Sequence, residues 1–182
     1  MPTGAPEVTI RAATSADTAA VLALLSASAL PLDGVPDVLT DLLVAERLSS
    51  GAPEIVGAVA FERYGDAALL RSTVVAPRLR GAGLGERLVH AALDLARAHA
   101  VRDVVLLTTT AAEWFPRFGF TRITRDEAPL ALHASNEFQY ACPARTPGGE
   151  PSFIGMRYFI TRKTVKPTFP CVIYLKANPT FW

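Results

Sequence analysis

The segment Thr73-Val-Val-Ala-Pro-Arg-Leu-Arg-Gly-Ala-Gly-Leu-Gly-Glu-Arg-Leu88 sets the architecture of this chain. It is typical of a buried strand that stops near Pro77, a turn with three glycines, and the start of a long helix. The helix is predicted over residues 83–100, because apolar side chains recur there at the i, i+4, i+7 and i+11 positions of one helical face.

The glycine turn is suited to hold an anion. Helix N-termini leave backbone N–H groups unpaired and carry about half a positive charge. Gly81, Gly83 and Gly85 remove the side chains that would keep a phosphate away from those groups. We therefore expect a phosphate or pyrophosphate here, with Arg80 adding positive charge.

The spacing of the glycines narrows the class of ligand. A nucleotide-binding P-loop would need GxxxxGK[ST], and no Lys follows these glycines. A dinucleotide fingerprint would need GxGxxG, whereas the spacing here is GxGxG after an Arg. Taken alone, the motif is equally compatible with a connection that binds nothing, and a nucleotide-dependent phosphate binder stays open as a third class.

Strands and helices are predicted on both sides of this segment. Upstream they comprise a strand over 7–11, a helix over 15–27 that begins with a capping-box pattern, and strands over 41–46, 55–61 and 67–76. Downstream they comprise a strand over 104–108, a short helix that ends at Gly119, and a strand over 120–124. This order predicts an α/β fold with a mixed, mostly antiparallel sheet, one parallel crossover and flanking helices.

Composition excludes several classes of protein. Of the 182 residues, 50% are hydrophobic and 19% are charged, which argues against a disordered chain. The net charge of +1 provides no general positive field for nucleic acid. No apolar run approaches the roughly 20 residues of a membrane-spanning helix, and no secretory signal is visible. The two cysteines, Cys142 and Cys171, are too few for a disulfide framework. We therefore expect a cytoplasmic protein without a nucleic-acid partner, a membrane partner or a metal.

A change in composition near residues 145–151 predicts a boundary. Residues 1–144 contain 12 Arg, no Lys and 16 acidic residues, a net charge of −4, whereas residues 145–182 contain 3 Arg, 3 Lys and one acidic residue, a net charge of +5. We therefore divide the chain into a domain at 1–144 and an atypical C-terminal tail at 145–182. Three interpretations of the tail stay open: a closing strand over 152–160 with an extra strand over 171–175, an altered reading frame or fusion, and a basic interaction tail.

Three features together resemble the GNAT family, the Gcn5-related N-acetyltransferases. Arg80-Gly-Ala-Gly-Leu-Gly85 matches the family signature [RQ]-x-x-G-x-[GA], and it follows a strand that ends Val74-Val-Ala-Pro77. A second landmark is the strand Val104–Thr108, followed by Trp114-Phe115 and then by Gly119-Phe120. The third is Ile10-Arg-Ala12 before a capped helix, so the resemblance extends over residues 7–143.

Within that family the chain is most similar to the arsenic-resistance N-acetyltransferases and the N-acetylglutamate-synthase-like domains. The segments that carry this likeness are Phe61-Glu-Arg-Tyr-Gly65, Ala68-Leu-Leu-Arg-Ser72, Leu106-Leu-Thr-Thr-Thr110, Trp114-Phe115 and Glu137-Phe-Gln-Tyr-Ala-Cys-Pro143. The resemblance implies the GNAT fold, in which the two central parallel strands, here 68–76 and 104–109, splay apart.

The resemblance also implies acetyl-CoA as the acyl donor. The pantetheine arm would enter between the splayed strands and pair with backbone groups of Thr73 and Val75 like an added strand. A backbone N–H at Val74 or nearby would polarise the thioester carbonyl and stabilise its oxyanion. The pyrophosphate would lie on the backbone amides of Arg80, Gly81, Ala82, Gly83, Leu84 and Gly85.

Charged and polar side chains on the strands are expected to face the acceptor. Glu62 is expected to take the proton of the amine, directly or through water, or else to be a strand-end carboxylate paired with Arg63 or Arg71. Arg71 interrupts an apolar strand, so it is expected either to meet Glu62 or to bind a carboxylate of the acceptor. The residues expected to line the acceptor pocket, or to serve strand packing, are Ser72, Thr108 and Thr109.

The sequence departs from the family at Phe115, where many members have a Tyr that protonates the leaving thiolate. A thiol with a pKa near 8.5 needs little such help, so transfer stays feasible. The leading hypothesis is an N-acetyltransferase for the amine of a small, amino-acid-like acceptor, with a link to arsenic resistance taken from the subgroup likeness. The alternative is a non-catalytic module that binds or senses acyl-CoA. Dimers are common in the family, so a homodimer stays open.

Overall fold

A computed structural model describes residues 7–32, 34–49, 51–108, 111–140 and 154–160 of the chain. The strands are β1 (Val8–Ala12), β2 (Leu42–Ser49), β3 (Ala52–Tyr64), β4 (Ala67–Val75), β5 (Asp103–Thr108), β6 (Thr121–Ile123) and β7 (Ile154–Phe159). The α-helices are α1 (Thr18–Ala27), α2 (Leu84–Ala98) and α3 (Asn136–Tyr140). Short 3₁₀ helices lie at Ser15–Asp17, Pro36–Asp41, Pro77–Leu79, Phe115–Phe118, Arg125–Glu127 and Leu130–Ala134. No helix in the described ranges is long and apolar enough to cross a membrane.

One sheet joins the seven described strands in the order β1-β2-β3-β4-β5-β7-β6. Neighbouring strands are antiparallel except β4 and β5, which run parallel because α2 crosses over between them. In the described residues these two strands pair from Ala67 opposite Asp103 to Leu69 opposite Val105. Beyond that point no backbone pair joins them in the described residues, and we call the space between the two strand ends the V. This confirms the predicted mixed sheet with splayed central strands.

The sheet separates two apolar layers. α2 packs on one face, where Phe61 and Leu88 are buried, and α1 packs on the other, where Val21 and Leu25 lie near Ala60. All nine residues of β4 are buried. A strand covered on both faces must find a partner for any charged side chain that it carries.

A β-bulge interrupts β4 in its middle. Ser72 and Thr73 together lie opposite Val59, because the register shifts between the pairs Ala58/Val74 and Ala60/Arg71. Ser72 has a φ of 55°, in the left-handed region that residues other than glycine rarely adopt. A bulge bends its strand and redirects the side chains beside it. This one lies past the last β5 pair, so β4 bends where the V opens.

Two of the predicted helices are wholly or partly 3₁₀ in the structure. The short helix expected before Gly119 is a 3₁₀ segment, since Pro116 has no N–H to donate and Gly119 turns left-handed at a φ of 91°. The helix expected over 15–27 begins with a 3₁₀ turn. Its predicted capping box is present, with the Thr14 N–H donating to Asp17 Oδ2 over 2.7 Å.

The C-terminal part of the chain contributes β7 to the sheet. β7 pairs antiparallel with β5 on one side and β6 on the other, and its Met156 is fully buried. This strand lies inside the segment 152–160 in which a closing strand was expected. The segment 171–175 and both cysteines lie outside the described residues. The division of the chain at residue 144 stays a prediction.

Candidate active site

The turn at the start of α2 is the candidate anion site. Gly81 and Gly83 have φ values of 76° and 77°, which wrap the turn so that Gly83 caps the helix. Within the described residues, the amides of 81–86 donate no hydrogen bond to the backbone; the Arg87 N–H is the first to do so, to the Gly83 oxygen over 3.1 Å. The amides that the sequence assigned to a phosphate are therefore available to one, apart from Arg80 N, which donates to the Pro77 oxygen over 3.3 Å.

A pocket of about 110 Å³ opens beside this turn. Its walls are Val75, Arg80, Gly81, Gly83, Gly85, Glu86, Trp114 and Arg117. Arg117 pairs with Glu86 over 2.6 Å, and its guanidinium lies 5.4 Å from the centre of the Trp114 ring. No role was predicted for Arg117 from the sequence, and Trp114 was named there only as part of the Trp114-Phe115 landmark.

Arg80 links the turn to β4 and to the end of α1. Its Nε donates to the Val75 carbonyl over 2.9 Å, and its Nη2 donates to Ser28 Oγ over 3.2 Å, next to the end of α1. Burial lowers the pKa of this guanidinium. Arg80 therefore adds positive potential beneath the amides while it fixes the turn to the end of β4.

The backbone of β4 presents alternate residues to the V. The Ala76 N–H donates to the Val56 oxygen over 2.8 Å, so Ala76 faces β3. Antiparallel pairing alternates along a strand, and therefore Val74 also faces β3 while Val75 faces the opening. The Arg80 contact to the Val75 carbonyl agrees with this direction. The register thus favours Val75 over Val74 as a backbone group that a ligand in the V can reach.

Ser72 and Thr73 on β4 and Thr108 on β5 carry hydroxyl groups. The buried Ser72 and Thr73 oxygens have no hydrogen-bond partner within the described part of the chain. Thr108 is fully buried, and its Oγ1 accepts the Ala111 N–H over 3.1 Å, which ends β5. Thr109 lies outside the described residues. Ser72 is therefore better suited than Thr108 to meet an acceptor.

Arg71 holds two carboxylates on the α1 side of the sheet. Its Nη1 pairs with Glu62 Oε1, and its Nε lies 3.0 Å from Glu137 Oε2 in α3. The hydroxyls of Tyr64 and Ser135 donate to the other Glu62 oxygen, Oε2, over 2.7 and 2.9 Å. We call these five residues the Arg71 cluster. Of the two alternatives for Arg71, the structure has the contact with Glu62.

The Arg71 cluster was only partly foreseen. Arg63, the other partner considered for Glu62, pairs instead with Asp41 over 2.7 Å. Glu137 and Ser135 come from the segment after β6, and Ser135 Oγ also accepts the Phe138 N–H over 3.3 Å, which ties α3 to the cluster. Burial raises the pKa of Glu137 against the opposing effect of Arg71, and burial followed by the Glu62 contact raises that of Tyr64.

Phe115 belongs to an aromatic core. Its ring is fully buried and meets the Trp114 and Phe120 rings edge-on at centroid distances of 5.0 and 5.5 Å. This position therefore offers packing and no proton to a leaving group.

Comparison with known proteins agrees with this geometry. Residues 40–122 match the family model described as an Acetyltransferase (GNAT) domain. No curated protein sequence matches the chain. Among solved structures, N-acetylglutamate synthase from Neisseria gonorrhoeae, complexed with coenzyme A and N-acetyl-glutamate, is 22% identical with a TM-score of 0.68, over 87% of this chain and 36% of that one. The present chain thus spans about a third of the length of that synthase.

Two further structures are similar over nearly their whole length. Rv2747 from Mycobacterium tuberculosis, in complex with CoA and NLQ, is 21% identical with a TM-score of 0.69, over 84% of this chain and 99% of that one. The ribosomal-protein-S18-alanine N-acetyltransferase from Escherichia coli is 17% identical with a TM-score of 0.62, over 90% of this chain and 100% of that one. Residues 40–122 thus match the GNAT acetyltransferase model, and the chain has the fold of the Gcn5-related N-acetyltransferases.

Proposed function

We propose that the chain is an acetyl-CoA-dependent N-acetyltransferase that moves an acetyl group to the amine of a small, amino-acid-like acceptor. The observation that carries this proposal is the row of amides at 81–86, which donate to no backbone acceptor among the described residues and lie beside the V of β4 and β5. A diphosphate on the amides and an extended arm in the V match the two ends of coenzyme A. Two of the similar structures contain coenzyme A, which supports the choice of donor.

The residues of the turn and of β4 fit this donor. The Gly81 and Gly83 positions are open, since a Cβ at either would meet no described atom within 4 Å. The open edge of β4 beyond Leu69 can pair with the pantetheine arm like an added strand, as proposed for Thr73 and Val75. Bound acetyl-CoA supplies an activated thioester carbonyl for attack by the amine.

A backbone N–H of β4 is proposed to polarise that carbonyl. The sequence-based choice is Val74, and the register favours a group on the open edge such as Val75. Loss of one oxyanion donor costs roughly 10²–10³ in rate in other acyl transfers. Glu62 is proposed to receive the amine proton, directly or through one water. Its carboxylate is 15% exposed and held from three sides, so it is fixed yet reachable.

A non-catalytic acyl-CoA sensor is the second candidate, and Phe115 is the observation that favours it. Incubating the protein with acetyl-CoA and a panel of amines, while following release of free thiol, separates the two. Release that depends on an amine supports the transferase, whereas tight CoA binding without turnover supports the sensor. Arsenic-containing amino acids belong in the panel because of the subgroup likeness. A Tm that rises with ATP and not with CoA would overturn both in favour of a nucleotide binder.

A further inference from the structure

The guanidinium of Arg71 is closed to an additional carboxylate. Its side chain is 4% exposed, and Glu62 and Glu137 occupy both the Nη1 and Nε sides. An arginine on a central strand would be the natural anchor for an acidic acceptor, because a guanidinium and a carboxylate form a two-pronged pair. Here Glu62 and Glu137 pair with Arg71 in place of an acceptor carboxylate.

The loop before Pro36 covers Arg71 from a further side. Gly34 has a φ of 73°, and a Cβ placed on it would lie 2.9 Å from Arg71 Nη1 and 3.7 Å from Glu62 Oε1. The backbone of this loop therefore rests against the ion pair itself. An acceptor carboxylate would have to displace either this loop or one of the two glutamates to reach Arg71.

The carboxylates of the cluster are more accessible than its guanidinium. Glu62 and Glu137 side chains are 15% and 9% exposed, more than the 4% of Arg71. Tyr64 and Ser135 hold Glu62 with neutral hydroxyls, so they orient its charge without cancelling it. Two carboxylates share one guanidinium, and the site carries excess negative charge when both are ionised.

We infer that the Arg71 cluster selects acceptors without net negative charge and disfavours acidic amino acids. The amine of a neutral or cationic acceptor meets the carboxylate edge of Glu62, whereas an added carboxylate meets like charge and no open cation in the cluster. This inference rests on the proposed transferase function and specifies the charge class of its acceptor. Under this inference glutamate is a poor acceptor for this chain.

An isosteric series of acceptors tests the inference. L-glutamate, L-glutamine and L-glutamine amide have nearly the same shape and net charges of about −1, 0 and +1 at neutral pH. With kcat/KM calculated per unprotonated amine, each replaced carboxylate should raise the value by about tenfold at low ionic strength. A kcat/KM highest for L-glutamate overturns the inference while leaving the transferase intact.

A charge variant assigns the effect to the cluster. Glu137→Gln keeps the side-chain shape and removes one of the two negative charges, so the preference for L-glutamine amide over L-glutamate should fall by about tenfold. Asp94→Asn, at a 74% exposed position on α2, removes a charge elsewhere and should leave the preference unchanged. An unaltered preference in Glu137→Gln overturns the assignment.

A binding measurement keeps the two proposals separable. The same three compounds are titrated into CoA-saturated protein by calorimetry. Absence of thiol release with every amine counts against the transferase, and the order of binding then still decides the acceptor class. Tightest binding of L-glutamine amide supports the inference. Tightest binding of L-glutamate, or no binding of any of the three, overturns it.

Discussion

Replacing Gly83 with alanine tests the anion turn without disturbing the core. Gly83 caps α2 at a φ of 77°, and a Cβ there would meet no described protein atom within 4 Å. The substitution should therefore add only the left-handed backbone strain of about 1–2 kcal/mol. For a chain of this size, that corresponds to a Tm lower by roughly 2–8 °C.

The effect of Gly83→Ala on the donor should be larger than its effect on stability. The new methyl group would occupy open space beside the amides of the turn, where it is expected to keep the pyrophosphate away from them. One lost hydrogen bond to a charged group costs about 1.5–3 kcal/mol. The Kd for CoA, measured by calorimetry, should therefore rise by roughly tenfold to more than a hundredfold.

Gly65→Ala is the matched control for this substitution. Gly65 has a φ of 65° in the turn between β3 and β4, at the opposite end of β4, and a Cβ there would also meet no described atom within 4 Å. It should lower the Tm by a similar amount and leave the Kd for CoA unchanged. If Gly83→Ala binds CoA as tightly as the unaltered protein, the turn does not hold the pyrophosphate and the proposed donor site is wrong.

Three other substitutions probe the remaining roles. Glu62→Gln should lower kcat for thiol release by about 10²-fold or more while the Kd for CoA stays the same, because it removes the base and keeps its shape; a normal kcat would exclude Glu62 as the base. Arg117→Ala should raise the Kd for CoA a few-fold at low ionic strength, with the effect lost in high salt, and an unchanged Kd would remove Arg117 from the donor site. Burial raises the pKa of Glu137 above its ordinary value of 4.5, so the folded state holds this proton more firmly than the unfolded chain does. The stability of the unaltered protein should therefore fall, relative to Glu137→Gln, as pH rises from about 4.5 through the raised pKa; a Tm difference that stays constant over that window would contradict this.

Local signals were sufficient for the donor side of the molecule. Glycines at fixed spacing, an apolar stripe on one helical face and a proline at the strand end lie within the segment 73–88, and each acts on its immediate neighbours. The turn and α2 could therefore be predicted from sequence. The splay of β4 from β5 came from the family resemblance, because no local pattern in either strand encodes where their pairing stops.

The acceptor side depends on contacts between distant parts of the chain. Ser135 and Glu137 reach Glu62 and Arg71 only after the chain has passed through α2, β5 and β6. The bulge at Ser72 arises from the register between β3 and β4, which a single strand does not specify. The buried charge of Arg71 did predict that a carboxylate must meet it, since an unpaired guanidinium in a closed strand is costly. It did not predict that two carboxylates, Glu62 and Glu137, would meet this one guanidinium.

The position of β7 has a consequence for how the polypeptide is made. β7 is the last described strand to be synthesised, yet it lies inside the sheet, and β6 is joined to the sheet through it. Until β7 has left the ribosome, the outer margin of β5 has no neighbour and can pair with a foreign chain. Premature termination or proteolytic cleavage before residue 154 would leave that margin exposed permanently. A fragment that ends before residue 154 is therefore expected to aggregate in the cell.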